Sequence, residues 1–518
     1  MRKVELILSI CSGLMVATPF LAPALFPVAW IGLIPLLWVL RKANLRWSFF
    51  CGWVTGIVTH LVGFYWLNYT ISVFGGHSYA TSALVFAGFG VSNGLLFAIF
   101  AFFVRLCGFG PISVSPAFFW VALEFWFPLL FPWHLANSQT QFLNLIQSAD
   151  LVGPYGVSFL LVWVNTIIVG LLTSTRADRK ASAAGGALAV IFVGTCLLYG
   201  DRRLTTVGDE MRQARTLSVA AVQGGIDINR KWDINFLESN LQSYLDLSRN
   251  TQGATLALWP ESAVESWISE TVTQLPKTIV PELPPDTKYL IFGARSFRGD
   301  PANPNVKAFN SAFLIDSEGR VLGHYHKQVL LAFGEYIPFV SYLASIPGVP
   351  PIGQGFTPGS EPRTLDLPNA ITIGPLICYE DLMPPLARAL VRDRHANLLI
   401  NLTNDAWFGR AVAPWQHARL AQWRAIETRR TLIRVTNTGV TTVINAKGEM
   451  LESLPLFSTG VLKANVELLE SQTLYVRFGD WFAWLATVVS VLVLLRSARF
   501  TFSLPRYRTR RETHNRRT

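Results

Sequence analysis

The sequence predicts a polytopic helical membrane bundle that carries one α/β domain, inserted ahead of the last span. Three observations predict it. Of the 518 residues, 51% are hydrophobic and only 15% charged, with 17 Trp and 35 Phe, too apolar and aromatic for an ordinary soluble chain. Apolar runs of the roughly 17–25 residues needed to cross a bilayer are confined to Leu6–Leu198 and one stretch near the C-terminus. Between about Asp201 and Tyr475, strand-like and helix-like runs alternate with hairpins among them, the pattern of a layered α/β domain with a mixed sheet. The expected boundaries are a seven-span bundle over 1–200, the α/β domain over 201–475, an eighth span over 476–496 and a basic tail over 497–518.

In order, Arg2-Lys3 precede a first apolar run from Leu6 to Leu21. Leu21-Ala22-Pro23-Ala24 has the small residues of a signal-peptidase site, but a second run, Leu25–Leu40, follows at once and favours two successive spans. Further spans are expected at Phe49–Ile71, Tyr79–Val104, Ser113–Leu130, Gly156–Thr173, Ala183–Tyr199 and Phe478–Leu495. Arg2, Lys3, Arg41, Lys42, Arg46, Arg105, Arg176, Arg179, Lys180 and the C-terminal tail fall on one side of this set. The connections near Ala22, over Phe74–Ser78 and over Phe131–Pro154 hold no Lys or Arg. The positive-inside rule therefore puts both termini in the cytoplasm and the α/β domain on the far face, the periplasm of a Gram-negative cell. Arg202-Arg203 run against this, but they open a long domain, where charge bias weighs little.

The net charge of +11 does not signal nucleic acid. Much of it is Arg496, Arg499, Arg506, Arg508, Arg510, Arg511, Arg516 and Arg517, directly after a span, where anionic lipid attracts such residues, and no groove-reading motif is present. His60, Tyr65, Trp66, Asn68, Tyr69, Glu124 and His134 read as interfacial aromatics and bundle-facing polar groups, with Glu124 or His60 alternatively lining a lipid path.

In the α/β domain, strands are expected at Thr216–Val222, Thr255–Trp259, Tyr289–Ala294, Ser311–Ile315, Val321–Tyr325, Ile371–Cys378, Leu398–Leu402, Thr431–Val435, Thr441–Ile444 and Gly460–Val466. Helices are expected at Ile234–Arg249, Leu386–Arg394 and Trp415–Arg430. Cys11, Cys51, Cys107 and Cys196 lie in or beside spans, so Cys378 is the domain's only cysteine. That excludes a disulfide within the domain, and no Cys/His cluster beside it supports zinc. Free cysteine is often just a small buried hydrophobe. Its position decides the matter only together with its surroundings, for Cys378 stands where a strand hands over to a helix and following N–H groups can face a developing anion.

Two other strand ends carry catalytic residue types: Glu261 in Leu258-Trp259-Pro260-Glu261-Ser262, and Lys327 in His324-Tyr325-His326-Lys327. A thiol nucleophile needs a base for its proton and a cation or N–H groups for its oxyanion, and Glu, Lys and Cys supply that set. Each alone also reads as a solvated strand-end charge.

Trp-Pro-Glu-Ser, then Lys327 before Phe333-Gly334-Glu335-Tyr336-Ile337-Pro338, then Ile377-Cys378-Tyr379-Glu380, resembles the carbon–nitrogen hydrolase (nitrilase) superfamily. The run Asn404-Asp405-Ala406-Trp407-Phe408-Gly409, with Pro414-Trp415-Gln416-His417 after it and spans around it, narrows the resemblance to the apolipoprotein N-acyltransferases, over essentially the whole chain. The resemblance implies an αββα sandwich and a Glu261-Lys327-Cys378 triad. Supporting or substrate-binding roles fall to Trp232, Glu335, Tyr379 and Glu380, with Trp407 and Phe408 on a mobile aromatic loop. It implies a monomeric acyltransferase of the bacterial inner membrane, with neither cofactor nor metal. The enzyme would move an acyl chain from a membrane phospholipid to the N-terminal diacylglyceryl-cysteine of an apolipoprotein, the last step of lipoprotein maturation. One departure is Val329-Leu330-Leu331-Ala332, where the family has His-Leu-Val-Pro. A membrane-tethered amidase with the same triad, and a transporter or scaffold with a binding-only domain, are the rival expectations.

Overall fold

The structure, a computed structural model, describes residues 2–76, 78–110, 112–176, 178–303, 306–338 and 355–502. Arg506 and the rest of the Arg-rich tail beyond it lie outside the described residues.

Helices occupy each stretch expected to span: Arg2–Leu21, Pro23–Trp30 with Ile34–Leu40, Leu45–Gly63 with Leu67–Gly75, Tyr79–Asn93 with Leu95–Cys107, Ser115–Trp126, Tyr155–Leu172, Arg179–Gln213 and Trp481–Phe502. Among the described residues, five are long and apolar enough to cross a membrane. A sixth joins them if Leu45–Gly63 and Leu67–Val73, bent by 62°, count as one span. Ser115–Trp126 is shorter than expected and rises only about 18 Å, because Phe127 stands before Pro128 and leaves the helical region. Arg179–Gln213 is longer than expected and runs straight through the boundary at 200/201. No proline interrupts it, and its polar end is tied down on the way: Arg203 meets Asp150 at 2.8 Å, and Val207 packs with Ala446 and Leu469 of the α/β domain.

That domain is built on two sheets. The first holds β1 (Arg215–Gln223), β2 (Leu256–Leu258), β3 (Val264–Ser269), β4 (Tyr289–Arg298), β5 (Lys307–Asp316) and β6 (Val321–His326). The second holds β7 (Leu365–Leu367), β8 (Ile371–Ile377), β9 (Leu398–Thr403), β10 (Leu432–Thr436), β11 (Thr442–Ile444) and β12 (Met450–Ser453), while β13 (Gly460–Leu468) returns to the first. Their orders are β13-β1-β2-β4-β5-β6, with β3 also on β4, and β12-β11-β10-β9-β8-β7. Both are mixed: β1-β2-β4 and β8-β9-β10 run parallel, and their outer neighbours antiparallel. The inner faces meet through Val219, Leu258, Ile291, Leu314 and Tyr325 on one side and Ile373, Ile377, Ile400 and Val435 on the other. The helix Leu237–Ser248 covers the first sheet, and Pro384–Arg392 with Ala413–Thr428 cover the second. This is the expected αββα sandwich.

Strands β3, β7 and β12 escape the sequence pattern. β7 is three residues long, β12 is exposed over most of its length, and β3 carries Glu265 and a register shift against β4.

The bundle packs on the outer helical layer of the second sheet, with Trp423 and Ile426 of Ala413–Thr428 in the bundle core. Gln416 on the same helix accepts from Trp66 Nε1 at 2.8 Å and donates to the carbonyls of Phe20 and Gly63, each at 3.1 Å. Buried Asp150 from the bundle meets Arg429 at 2.7 Å. Buried amides and ions need partners, so these pairs fix the domain to the bundle in one pose.

Candidate active site

Three strand ends converge. β2 and β3 pair in succession with the same edge of β4, and Glu261 sits in the gap between them. Gly293 of β4 makes room for it, since a Cβ there would lie 2.6 Å from Glu261 Cα. Lys327 follows β6, its N–H donating to the Asn310 carbonyl at 2.8 Å. Cys378 follows β8 at φ 53° and opens a short 3-10 turn to Leu382. A non-glycine residue in that left-handed region costs on the order of 1–2 kcal/mol. Asn401 Nδ2 donates to the Cys378 carbonyl at 2.8 Å and helps to hold it there.

Lys327, 1% exposed, meets Glu335 at 2.7 Å and Glu261 at 3.8 Å. Asn310 Nδ2 joins the two carboxylates, donating to Glu261 Oε1 at 2.7 Å and Glu335 Oε1 at 2.9 Å. The N–H of Asn404 donates to Glu261 Oε2 at 3.0 Å, and that of Leu331 to Glu335 Oε2 at 2.8 Å. Burial works against the charge on Lys327, but Glu335, Cys378 and Glu261 outweigh it and hold its pKa above the ordinary lysine value. Burial pushes Glu261 up, with Glu335 adding to it and Lys327 opposing. Burial also pushes the Cys378 thiol up, reinforced by Glu261 and opposed by Lys327. The thiol is therefore neutral at rest beside a carboxylate whose proton affinity is raised, the pairing that general-base activation requires.

Glu380 lies away from this cleft. It accepts from the N–H groups of Gln328 (2.6 Å), Val329 (3.0 Å) and Ile377 (2.8 Å) and from the Tyr325 hydroxyl, tying the cysteine turn to the segment after Lys327. Burial pushes it up to about 7. The segment Val329–Ala332 is thus tied through the backbone N–H groups of Val329 and Leu331, which any residue but proline supplies.

A cleft opens over Cys378. Tyr379, Leu331, Leu382, Phe408 and Leu420 line it from the domain, and Phe20, Trp66, Phe131 and Trp133 from the bundle. The Tyr379 hydroxyl donates to the Leu130 carbonyl at 3.2 Å. Phe408 stands edge-on to Trp66 at 4.9 Å. Trp407 is joined to the bundle by its carbonyl, which accepts from Thr70 Oγ1 at 3.2 Å, and its ring is not among the cleft's lining. Trp232 is also not in that lining; φ there is 74°, its N–H donates to Glu265 at 2.8 Å, and Arg295 lies 4.9 Å over its ring.

Sequence reasoning missed Asn310, legible only as an amide interrupting the apolar strand β5. It also missed the buried set behind Cys378, where His417 lies 2.8 Å from Asp381 and 2.9 Å from Asp405 and Arg434 reaches both carboxylates. The motif Asn404-Asp405 and Gln416-His417 carried that signal.

Two sheets ending in a Glu, a Lys and a Cys define a carbon–nitrogen hydrolase domain, and residues 218–474 match the carbon-nitrogen hydrolase family. Residues 12–167 match the apolipoprotein N-acyltransferase N-terminal domain. The chain is 34% identical over 512 residues to the apolipoprotein N-acyltransferase of Geobacter metallireducens, covering 95% of this chain and 96% of that protein. It is 31% identical over 492 residues to that of Azotobacter vinelandii, covering 91% and 90%. The chain belongs to the apolipoprotein N-acyltransferase family: it is a membrane protein and an acyltransferase.

Proposed function

We propose that the chain transfers an acyl chain from a membrane phospholipid to the free α-amino group of a diacylglyceryl-cysteine at an apolipoprotein N-terminus, through a thioester on Cys378. The observation that carries it is the cleft, which joins bundle aromatics at Trp66 and Trp133 to the thiol. An apolar cleft continuous with the bundle suits lipid donors and acceptors better than the small amides of a soluble amidase.

Glu261 takes the thiol proton as Sγ attacks the donor's ester carbonyl. Lys327 Nζ and the backbone N–H of Tyr379 hold the oxyanion. The tetrahedral adduct collapses, the C–O bond breaks, and Glu261 returns the proton to the departing lysophospholipid oxygen. The thioester remains activated toward amines. In the second half, the acceptor amine attacks, Glu261 takes its proton, the C–S bond breaks, and the thiolate recovers that proton. An amide is formed and the enzyme is restored, with the ping-pong kinetics of one nucleophile visited twice. Glu335 and Asn310 hold Lys327 and Glu261 in register, and Glu380 positions the cysteine turn.

Intact mass of the purified protein incubated with a phospholipid of single acyl composition tests the first half. Wild type gains one acyl chain and Cys378→Ala gains none; equal labelling of both overturns the assignment. The charge alternation supports a chain held in the bacterial inner membrane with its α/β domain outside the cytoplasm. Protease added to intact spheroplasts then removes the domain, and full protection refutes that topology.

A further inference from the structure

A second constellation lies on the outer face of the first sheet, independent of the thiol chemistry. Tyr325 points into the core between the sheets, so its neighbours in the strand, His324 and His326, both point to the opposite face. Their rings lie side by side, 4.8 Å between centroids. Glu270, just past β3, comes over the same face, its N–H donating to the Phe297 carbonyl at 3.0 Å. One ligand atom from each of Glu270, His324 and His326 lies within 4.8 Å of the other two. We propose that Glu270, His324 and His326 form a binding site for a divalent transition-metal ion of the zinc class, with the remaining coordination position open to water.

The donors fit such an ion. Two imidazoles and one carboxylate, with an open fourth position, are a common zinc set, and Zn–N and Zn–O bonds of about 2.0–2.2 Å put adjacent tetrahedral ligands about 3.3 Å apart. His326 Nε2 and Glu270 Oε2 are already 3.2 Å apart. The His324 ring is partly buried and needs to swing in by only roughly 1.5 Å to complete that spacing.

Outer contacts orient two of the ligands, as around established metal sites. His326 Nδ1 faces Ser311 Oγ at 2.7 Å, on the strand residue paired with it. A proton on Nδ1 there leaves the Nε2 lone pair directed at Glu270. Ser311 is in turn 2.6 Å from Ser296 Oγ, and Phe309 stacks on the His326 ring at 4.2 Å, so the imidazole has little freedom to turn away. Arg298 binds the other carboxylate oxygen, Glu270 Oε1, leaving Oε2 toward the histidines. Arg298 is also a cation beside the site, which opposes a second positive charge and favours an ion that bonds strongly to imidazole over calcium or magnesium.

The ion would close the edge strand β6 onto the end of β3, one residue before Lys327. The test uses the full-length protein in detergent, stripped with chelator and titrated calorimetrically with Zn²⁺, then with Co²⁺ followed by visible absorption. One Zn²⁺ per chain is expected, weakened at least tenfold in His324→Ala and in the near-isosteric Glu270→Gln. The Co²⁺ spectrum should show d–d bands without thiolate charge transfer. Absence of binding overturns the proposal, as does affinity unchanged in both variants. Thiolate charge transfer, which would put the metal on Cys378, overturns it too. The proposed acyl transfer stands or falls separately, through Cys378 labelling.

Discussion

Two buried charge clusters flank Cys378, made of similar residues and put to different use. On the cleft side, Glu261 and Glu335 share one cation, Lys327. Behind the cysteine, Asp381 and Asp405 are bridged by His417 and Arg434. Burial works against a proton on His417, yet Asp381, with Asp405 assisting, outweighs burial and Arg434 and raises its pKa to about 9. The rear cluster thus balances two anions with two cations and is closed to the cleft except at His417. The front cluster has a carboxylate in excess and meets the cavity only through the Cys378 thiol beside it. Balanced buried ions hold a turn in place, whereas an excess carboxylate with raised proton affinity can move a proton. Fold position alone does not separate them; charge count and the neighbouring thiol do.

The largest expected effect is at the front. Glu261→Gln and Cys378→Ala should accumulate no acyl-enzyme by intact mass, with folding retained. Lys327→Ala should slow acylation by about two to three decades, the usual loss for one oxyanion donor. Acylation of Glu261→Gln at the wild-type rate would remove the distinction, since the excess carboxylate would then do nothing chemical.

At the rear, removing a cation should cost stability before chemistry. Arg434→Met leaves Asp381 and Asp405 with His417 alone, and breaking a buried ion pair typically costs about 3–5 kcal/mol. Thermal unfolding in detergent reads this directly. An unchanged midpoint would mean that the rear cluster is not held by its charge balance.

The pH response should differ as well. The pKa of His417 is higher in the folded chain, about 9, than its ordinary 6.5. Its stabilising contribution is therefore complete below 6.5 and lost as pH rises through 9, on the order of 3 kcal/mol in all. Unfolding midpoints across that window should fall in Cys378→Ala protein and flatten when His417→Gln is added. Equal slopes in the two would assign the fall to another group.

How much of this contrast the sequence carried depends on the range over which each part is specified. Glu261, Lys327 and Cys378 each end a strand whose apolar alternation is local, so their placement was legible, and the family motif joined them. Asn310 acts across the sheet, linking Glu261 to Glu335, and no local pattern announces a partner 49 residues away. The cleft was less legible still, because Trp66 and Phe131 meet Phe408 only once the bundle has docked on Ala413–Thr428. The same holds for His324 and His326: spacing of two is visible, but Glu270 joins them through the interrupted pairing of β3, a strand the pattern did not reveal.

The smallest effect concerns the loop that closes the cleft. The sequence suggested Trp407 and Phe408 on a mobile aromatic loop. Of these, Phe408 has its ring on the cavity beside Cys378, packed edge-on against Trp66. A thioester waiting for an amine must be screened from water, and excluding water is a recognised task of active-site loops. An aromatic ring between domain and bundle can do this only while both surfaces hold it, so the screen should loosen when either side is trimmed. Phe408→Ala is therefore expected to leave Cys378 acylation near wild type and to raise free fatty acid several-fold relative to N-acylated product. Trp66→Phe should show a weaker shift in the same direction, and Trp407→Ala weaker again. If Phe408→Ala slows both half-reactions equally and leaves the hydrolysis-to-transfer ratio unchanged, the ring serves donor binding or packing, and the front cluster is kept dry by the bundle alone.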